Sequence, residues 1–407
     1  MKKLIYTIGL LVMGLSTLTA QKDTTLNKYI ESELVPLAGK KGVSFSTSAG
    51  DFSFKPYVLV QTRGIMNYYD DEGLNLAEQD NILNSGFGIP YAMVGFAGRA
   101  FDKVTFNLAI NAAASGGALL NQAWFDVNVK ESLRFRVGKF KTPYNQAYLV
   151  RLGQTLFPTL PASLNTRVNL PMDINSVNPK MSTGFDIGMQ VHGLINNKWG
   201  YQFGVFNGTG ISVNKPTNTM SDDNGLPSLL YAARAAYMPH GEMPLHQGDP
   251  EDLNSKYMLL AASASYNVEA NWESSNDLRV GLEYALLLNR FYFNLEGYLL
   301  DMDFTERQQV SPNYLFWGGY AQAGYFVTPK IQPALRFDIM DRNSTDKDGY
   351  LYAPAIGCNY YLIGHNLKLQ AYYQHLMKAG HEDLFSENDD DNGMAEHQFC
   401  VQLQFAF

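Results

Sequence analysis

From residue 51 to the end of the chain, apolar and polar side chains alternate with a period of two. In 51–67, Phe52, Phe54, Val58 and Val60 alternate with Lys55, Tyr57, Gln61 and Arg63. In 103–113, Val104, Phe106, Leu108 and Ile110 alternate with Thr105, Asn107, Ala109 and Asn111. In 132–140, Leu133, Phe135 and Val137 oppose Arg134 and Arg136. Alternate residues of an extended strand point to opposite faces, so this period predicts strands with one apolar and one polar side. Repeated along the chain, it predicts sixteen strands, near 51–67, 89–100, 103–114, 119–130, 132–141, 184–194, 198–207, 227–238, 256–270, 277–288, 290–303, 315–328, 330–341, 349–363, 366–377 and 395–407. Connections after even-numbered strands are mostly one to three residues, such as Glu131 or Asn289, whereas those after odd-numbered strands are mostly longer, such as 142–183. One even connection breaks the rule, 239–255, which is long where a short turn is expected, and several odd ones are short, notably 115–118.

The charges separate a barrel from a sandwich. Arg63, Arg134, Arg136, Asp186, Arg234, Arg279, Glu283, Glu296, Arg336, Asp338 and Lys368 lie within strands, nearly all in the polar phase. A sandwich core would bury these charges at high cost unless each was paired. Around a water-filled lumen they cost little, whereas on a lipid-facing wall each would cost roughly 2–4 kcal/mol at mid-depth. The long–short alternation of loops also belongs to outer-membrane barrels. The chain ends on Phe399–Phe407, in which Phe399, Val401, Leu403, Phe405 and Phe407 oppose Gln402 and Gln404. The expected fold is therefore all-β: a transmembrane antiparallel β-barrel of sixteen strands. Tyr and Trp near strand ends, including Tyr68, Tyr91, Trp199, Tyr257, Tyr350 and Tyr352, suit aromatic girdles.

Composition narrows the alternatives. Charged residues are 17% of the 407, against about 25% in ordinary soluble domains. Aromatics at 13% argue against disorder. Beyond the first twenty residues no apolar run approaches about 18 residues, which argues against a multi-pass helical membrane protein. Two cysteines exclude a disulfide scaffold, and Cys358 and Cys400, on non-adjacent strands, are expected to be free buried thiols. A net charge of −8 gives no reason to expect a nucleic-acid partner.

The N-terminus adds an address. Lys2 and Lys3 precede a mostly apolar stretch to Leu18, and Thr19-Ala20 supplies small residues for cleavage. Residues 1–20 read as a secretory signal peptide. Residues 21–50 read as a periplasmic segment with a short helix within 23–42, and 51–407 as the barrel.

Three stretches carry a family resemblance. Leu133 to Tyr148 (LRFRVGKFKTPYNQAY) resembles the V-G-x-F-K-x-P-[FY] motif of the phosphate-selective porin O and P family. Phe185 to Gly193 (FDIGMQVHG) resembles that family's next strand, written R-D-I-G-x-x-x-x-G, with Phe185 where the motif has Arg. Gly319–Asp338 and Cys358–Gln374 resemble its C-terminal strands. The resemblance implies a sixteen-stranded trimeric porin of the Gram-negative outer membrane, with a constriction loop folded into the pore. Its partners would be membrane lipid, lipopolysaccharide, two further copies of the chain, and small hydrophilic solutes, including phosphate-like anions. The dense Lys and Arg runs of phosphate channels do not occur here.

Segment 142–183 is the natural constriction. With Lys141 it carries Arg151, Arg167 and Lys180 against Asp173, four positive charges and one negative, net +3. Together with Arg63, Arg134 and Arg136 on the strands, these cations would favour anions. In a second reading they pair with lumenal carboxylates such as Asp126 and Asp186. Loop 378–394 is acidic, but the spacing fails an EF-hand, because Phe399 falls where Glu is needed. The seven His form no HExxH spacing and no cofactor motif occurs, so the expectation is no metal and no cofactor. The leading function is passive diffusion. The rivals are a barrel enzyme of phospholipase type, with His192 and Ser182 as conceivable partners, and a closed barrel acting as an adhesin or binding partner.

Overall fold

The structure is a computed structural model. It describes residues 44–69, 83–101, 103–166, 180–208, 229–268, 276–303, 313–341, 350–378 and 395–407. The signal peptide, the expected helix in 23–42, Arg167, Asp173 and the acidic residues 379–394 lie outside them.

Sixteen strands form one closed antiparallel sheet. They are β1 (Phe52–Tyr69), β2 (Leu83–Ala100), β3 (Val104–Asn111), β4 (Leu120–Lys130), β5 (Leu133–Lys141), β6 (Phe185–Ile195), β7 (Trp199–Phe206) and β8 (Leu230–Tyr237). Then follow β9 (Lys256–Asn267), β10 (Asn276–Leu288), β11 (Phe291–Asp303), β12 (Asn313–Tyr325) and β13 (Ile331–Asp341). β14 is Tyr350–Tyr352 continued by Ala355–Ile363, β15 is Leu367–Lys378 and β16 is Ala395–Ala406. Both pieces of β14 pair with β13 and with β15, so they form one wall strand interrupted at Ala353-Pro354. Proline has no N–H to give a ladder, which accounts for the interruption. β16 closes onto β1 through pairs such as Phe405↔Val60 and Ala406↔Leu59. Closure leaves no open edge. A two-residue strand, Phe45–Ser46, extends the rim by pairing with Phe54 and Ser53.

Each expected strand is present. β2 begins at Leu83, six residues earlier than the alternation suggested, because Leu83–Gly88 continues the ladder with β1.

The two faces separate as the alternation requires. Leu282, Leu335, Phe337, Ile356, Phe399, Val401, Leu403 and Phe405 are exposed on the outer wall. Gln332, Asp338, Asn359, Lys368, Gln370, Gln402 and Gln404 are buried inside. None of the eleven strand charges named from the sequence is exposed. Trp199 packs on Tyr237 at 4.5 Å near the short-turn end, and Trp317 packs on Tyr350 at 6.0 Å near the loop end, as belts at the two interfaces require. Two expectations are corrected. Tyr91 is no girdle residue: it faces the interior, where it lines a cavity. Cys358 is not buried: it sits in the outward phase of β14, whereas Cys400 is inside; both are free.

Candidate functional site

The interior is built by a loop that leaves the wall after β5 and returns before β6. Thr142 donates its backbone N–H (3.0 Å) and its hydroxyl (2.9 Å) to Gly184 O, which closes the loop's neck. Inside, Asn145 takes a positive φ of 49° and its side chain accepts from Tyr148 N, starting the short helix α1 (Gln146–Leu149). The Glu296 carboxylate of β11 accepts from Gln146 N (3.1 Å) and Ala147 N (2.7 Å). A carboxylate is well placed at a helix N-terminus, where N–H groups lack partners.

From α1 the loop runs to the short-turn end and climbs back along β11–β16. Gln404 donates to Gly153 O (2.9 Å), Lys368 to Thr155 O (3.1 Å), Asn359 to Leu156 O (3.0 Å) and Arg336 to Thr159 O (2.9 Å). A second short helix, α2 (Ala162–Asn165), is tied by Ser163, whose N–H and hydroxyl donate to Asp338 at 3.2 and 3.0 Å. Farther up, Arg279 donates to Lys180 O (3.0 Å). The irregular backbone thus finds in polar side chains the partners that a ladder would supply.

The exceptional connection 239–255 folds back into the mouth and meets this loop from below. Arg151 N donates to Leu245 O (3.0 Å), Gln247 N to Gln154 O (3.0 Å), and Leu156 N to the Gln247 side chain (2.6 Å). The inner wall holds the turn in turn: Gln332 donates to Gln247 O (3.3 Å), and a His365 ring nitrogen lies 2.9 Å from Gly248 O.

What remains open is a cavity of about 510 Å³ between the loop and the β1–β8 wall. Among the described residues its lining includes Arg63, Arg134, Arg136, Lys141, Arg151 and Arg234, six cations, against one carboxylate, Glu242. Arg63 donates to Gln402 Oε1 (2.7 and 3.0 Å) and to Pro158 O (2.7 Å), which are neutral oxygens. Lys141 donates to Val150 O (2.7 Å). Arg136 pairs with Asp126 at 2.8 Å and lies 4.1 Å from the Trp124 ring centre. Arg234 pairs with Glu283 at 2.7 Å.

Five of the residues expected from the sequence therefore meet in this cavity: Arg63, Arg134, Arg136, Lys141 and Arg151. Asp126 stands behind Arg136 and also holds His192 Nε2 at 2.8 Å. Asp186 accepts from Ile187 N (2.7 Å), at the start of β6, and from Gly208 N (2.6 Å), just past the end of β7. Lys180 reaches Asn165 Oδ1 (3.2 Å) and is not among the residues lining the cavity. Arg136 is paired with a lumenal carboxylate, while Arg63 donates to uncharged oxygens. Sequence reasoning missed Arg234 and Glu242 as lining residues. Arg234 was visible as a mid-strand charge in the polar phase; nothing in the sequence indicated that the 239–255 turn folds inward.

His192 and Ser182 are not brought together. His192 lies seven residues along β6 from Phe185, about 23 Å of strand, and Ser182 precedes Phe185.

A closed sixteen-stranded barrel, apolar outside, polar within and narrowed by a loop from its own wall, is a porin: solutes cross it by diffusion. The family follows from the sequence. The phosphate-selective porin O and P model matches residues 60–407, and the chain belongs to that family. No curated relative matches the sequence. Among solved structures, an anion-selective porin from Comamonas acidovorans superposes with a TM-score of 0.59 at 12% identity, covering 88% of this chain and 100% of that one. The Salmonella typhi OmpF–daunomycin complex gives 0.55 at 13% identity, over 89% and 100% of the two chains. The trimer form of Vibrio cholerae OmpT gives 0.52 at 10% identity, over 88% and 99%. At these identities the likeness is one of fold. Phe185, the departure from the family motif, is buried; the Lys141 ammonium lies 5.6 Å from its ring and 5.7 Å from that of Tyr148.

Proposed function

We propose that this porin admits small anions in preference to cations, from the outer membrane of a Gram-negative cell, as a homotrimer. One observation carries the reading: among the described residues, six cations and a single carboxylate line the cavity. Fixed charge of one sign in a narrow, low-dielectric passage raises the local concentration of the opposite ion. The buried carboxylates are engaged elsewhere: Glu296 and Asp338 hold the loop, and Glu283 and Asp126 hold Arg234 and Arg136. Arg63 and Lys141 donate to the neutral oxygens of Gln402, Pro158 and Val150, and together with the loop's Arg151 they line the cavity. Residues 1–20 act as the export signal and 21–50 as a periplasmic segment. The apolar belt contacts lipid, and the outer loops meet lipopolysaccharide. The trimer form of Vibrio cholerae OmpT, which is similar in fold, supports the trimer.

The test is the reversal potential of purified protein in a planar bilayer under a tenfold KCl gradient. Wild type is expected to favour chloride, and Arg63→Ala and Arg151→Ala to lower that preference severalfold each. A potassium preference that neither substitution moves overturns the reading.

A further inference from the structure

We infer that the permeant class best fitted to this lumen is an organic anion with an apolar or aromatic body, such as a small aromatic carboxylate, rather than bare phosphate. The inference deepens the anion reading and rests on it.

It starts from what flanks each cation. On the Arg63 side, the guanidinium that donates to Pro158 O stands beside a half-buried loop face carrying Pro158 and Leu160. Lys141, which donates to Val150 O, has its ammonium 5.7 Å from the Tyr148 ring centre, next to half-buried Leu149. Farther along β5, the strand that ends in Lys141, the Arg136 guanidinium lies on Trp124. At three places in one cavity, then, a cation borders hydrocarbon or an aromatic face.

A tetrahedral phosphate presents oxygens in every direction and requires donors all round it. Beside Arg63, Lys141 and Arg136 part of the cavity wall is hydrocarbon or aromatic, and a phosphate oxygen turned toward that part would lose its water with no bond in return. A carboxylate attached to a ring divides as the cavity does: two oxygens for a guanidinium or ammonium, and a flat apolar body for the loop face. Apolar area taken from water adds to the charge attraction without opposing it.

The test uses the full-length protein in planar bilayers in KCl, with current block measured for benzoate, acetate and phosphate added in turn. Benzoate and acetate share one carboxylate and differ by the ring. Benzoate is expected to block about tenfold more tightly than acetate, and more tightly than phosphate. Leu160→Ser and Leu149→Ser should shrink the benzoate–acetate ratio severalfold and leave the chloride–potassium reversal potential unchanged, while Leu160→Met should keep both. Equal block by benzoate and acetate, or tighter block by phosphate, with chloride preference intact, overturns this inference and leaves the anion reading standing. A potassium preference overturns both.

Discussion

At the scale of single residues, the family motifs have a packing cause. Gly138, the glycine of V-G-x-F, and Gly188, the glycine of D-I-G, face each other across β5 and β6. Gly138 has φ of 127°, and a Cβ there would stand 2.1 Å from Ala123 O; one on Gly188 would stand 2.2 Å from Val205 O. Neither position accepts a side chain without moving the neighbouring strand, and Gly138 needs in addition a conformation that L residues rarely adopt. Gly138→Ala is expected to destabilise the folded barrel by about 1–3 kcal/mol, seen as a lower urea midpoint for unfolding from lipid; an unchanged midpoint counts against this account. The motif was legible in the sequence, but the contact that explains it was not, because β5 and β6 are separated by more than forty residues of loop.

At the scale of elements, the loop and the 239–255 turn act as a clamped pair. Two histidines stand at their junction. Burial pushes His246 down to about 4, with Asp249 and Asp252 opposing and Arg151 assisting. Burial, together with Lys368 and His246, pushes His365 well down. A histidine whose pKa is lowered by folding contributes stability that is complete above its unfolded value, about 6.5, and is lost as pH falls through the folded value. The clamp should therefore hold at neutral pH and loosen between about pH 6 and 4. Single-channel recording is expected to show larger or noisier conductance across that window, and His246→Gln to flatten the change. A flat wild-type profile refutes the clamp's sensitivity to these histidines. The sequence marked 239–255 only as a break in the long–short rule. Its inward fold depends on partners as distant as Gln332 and His365, which local pattern cannot reveal.

At the scale of the whole molecule, the two phases of the strands impose opposite tolerances. Leu282 is 65% exposed on the outer wall, and its neighbours along β10, Val280 and Tyr284, share that face. Leu282→Arg is expected to cost about 2–4 kcal/mol near mid-depth, read as reduced stability in lipid with little change in ion preference. Arg63→Ala, inside, should do the reverse: ion preference falls while the barrel remains. If the outer substitution shifted selectivity and the inner one did not, the assignment of faces would be wrong.

The sequence by itself determined the barrel. A period of two is a local property, and repeated over sixteen strands with charges held to one phase, it admits little besides a wall with lipid outside and water inside. It also singled out the loop that enters the barrel and five of the six cations that line the cavity, since loop length and strand phase can be read locally. Only the tertiary structure decided what those charges do. Asp126 and Arg136 pair across neighbouring strands, Glu296 and Asp338 hold loop backbone, and Arg63 reaches Gln402 and Pro158 from the far side of the closure. Each of these is a through-space choice among groups distant in the chain. Strand phase assigns a side chain to the lumen but leaves open which partner it meets there.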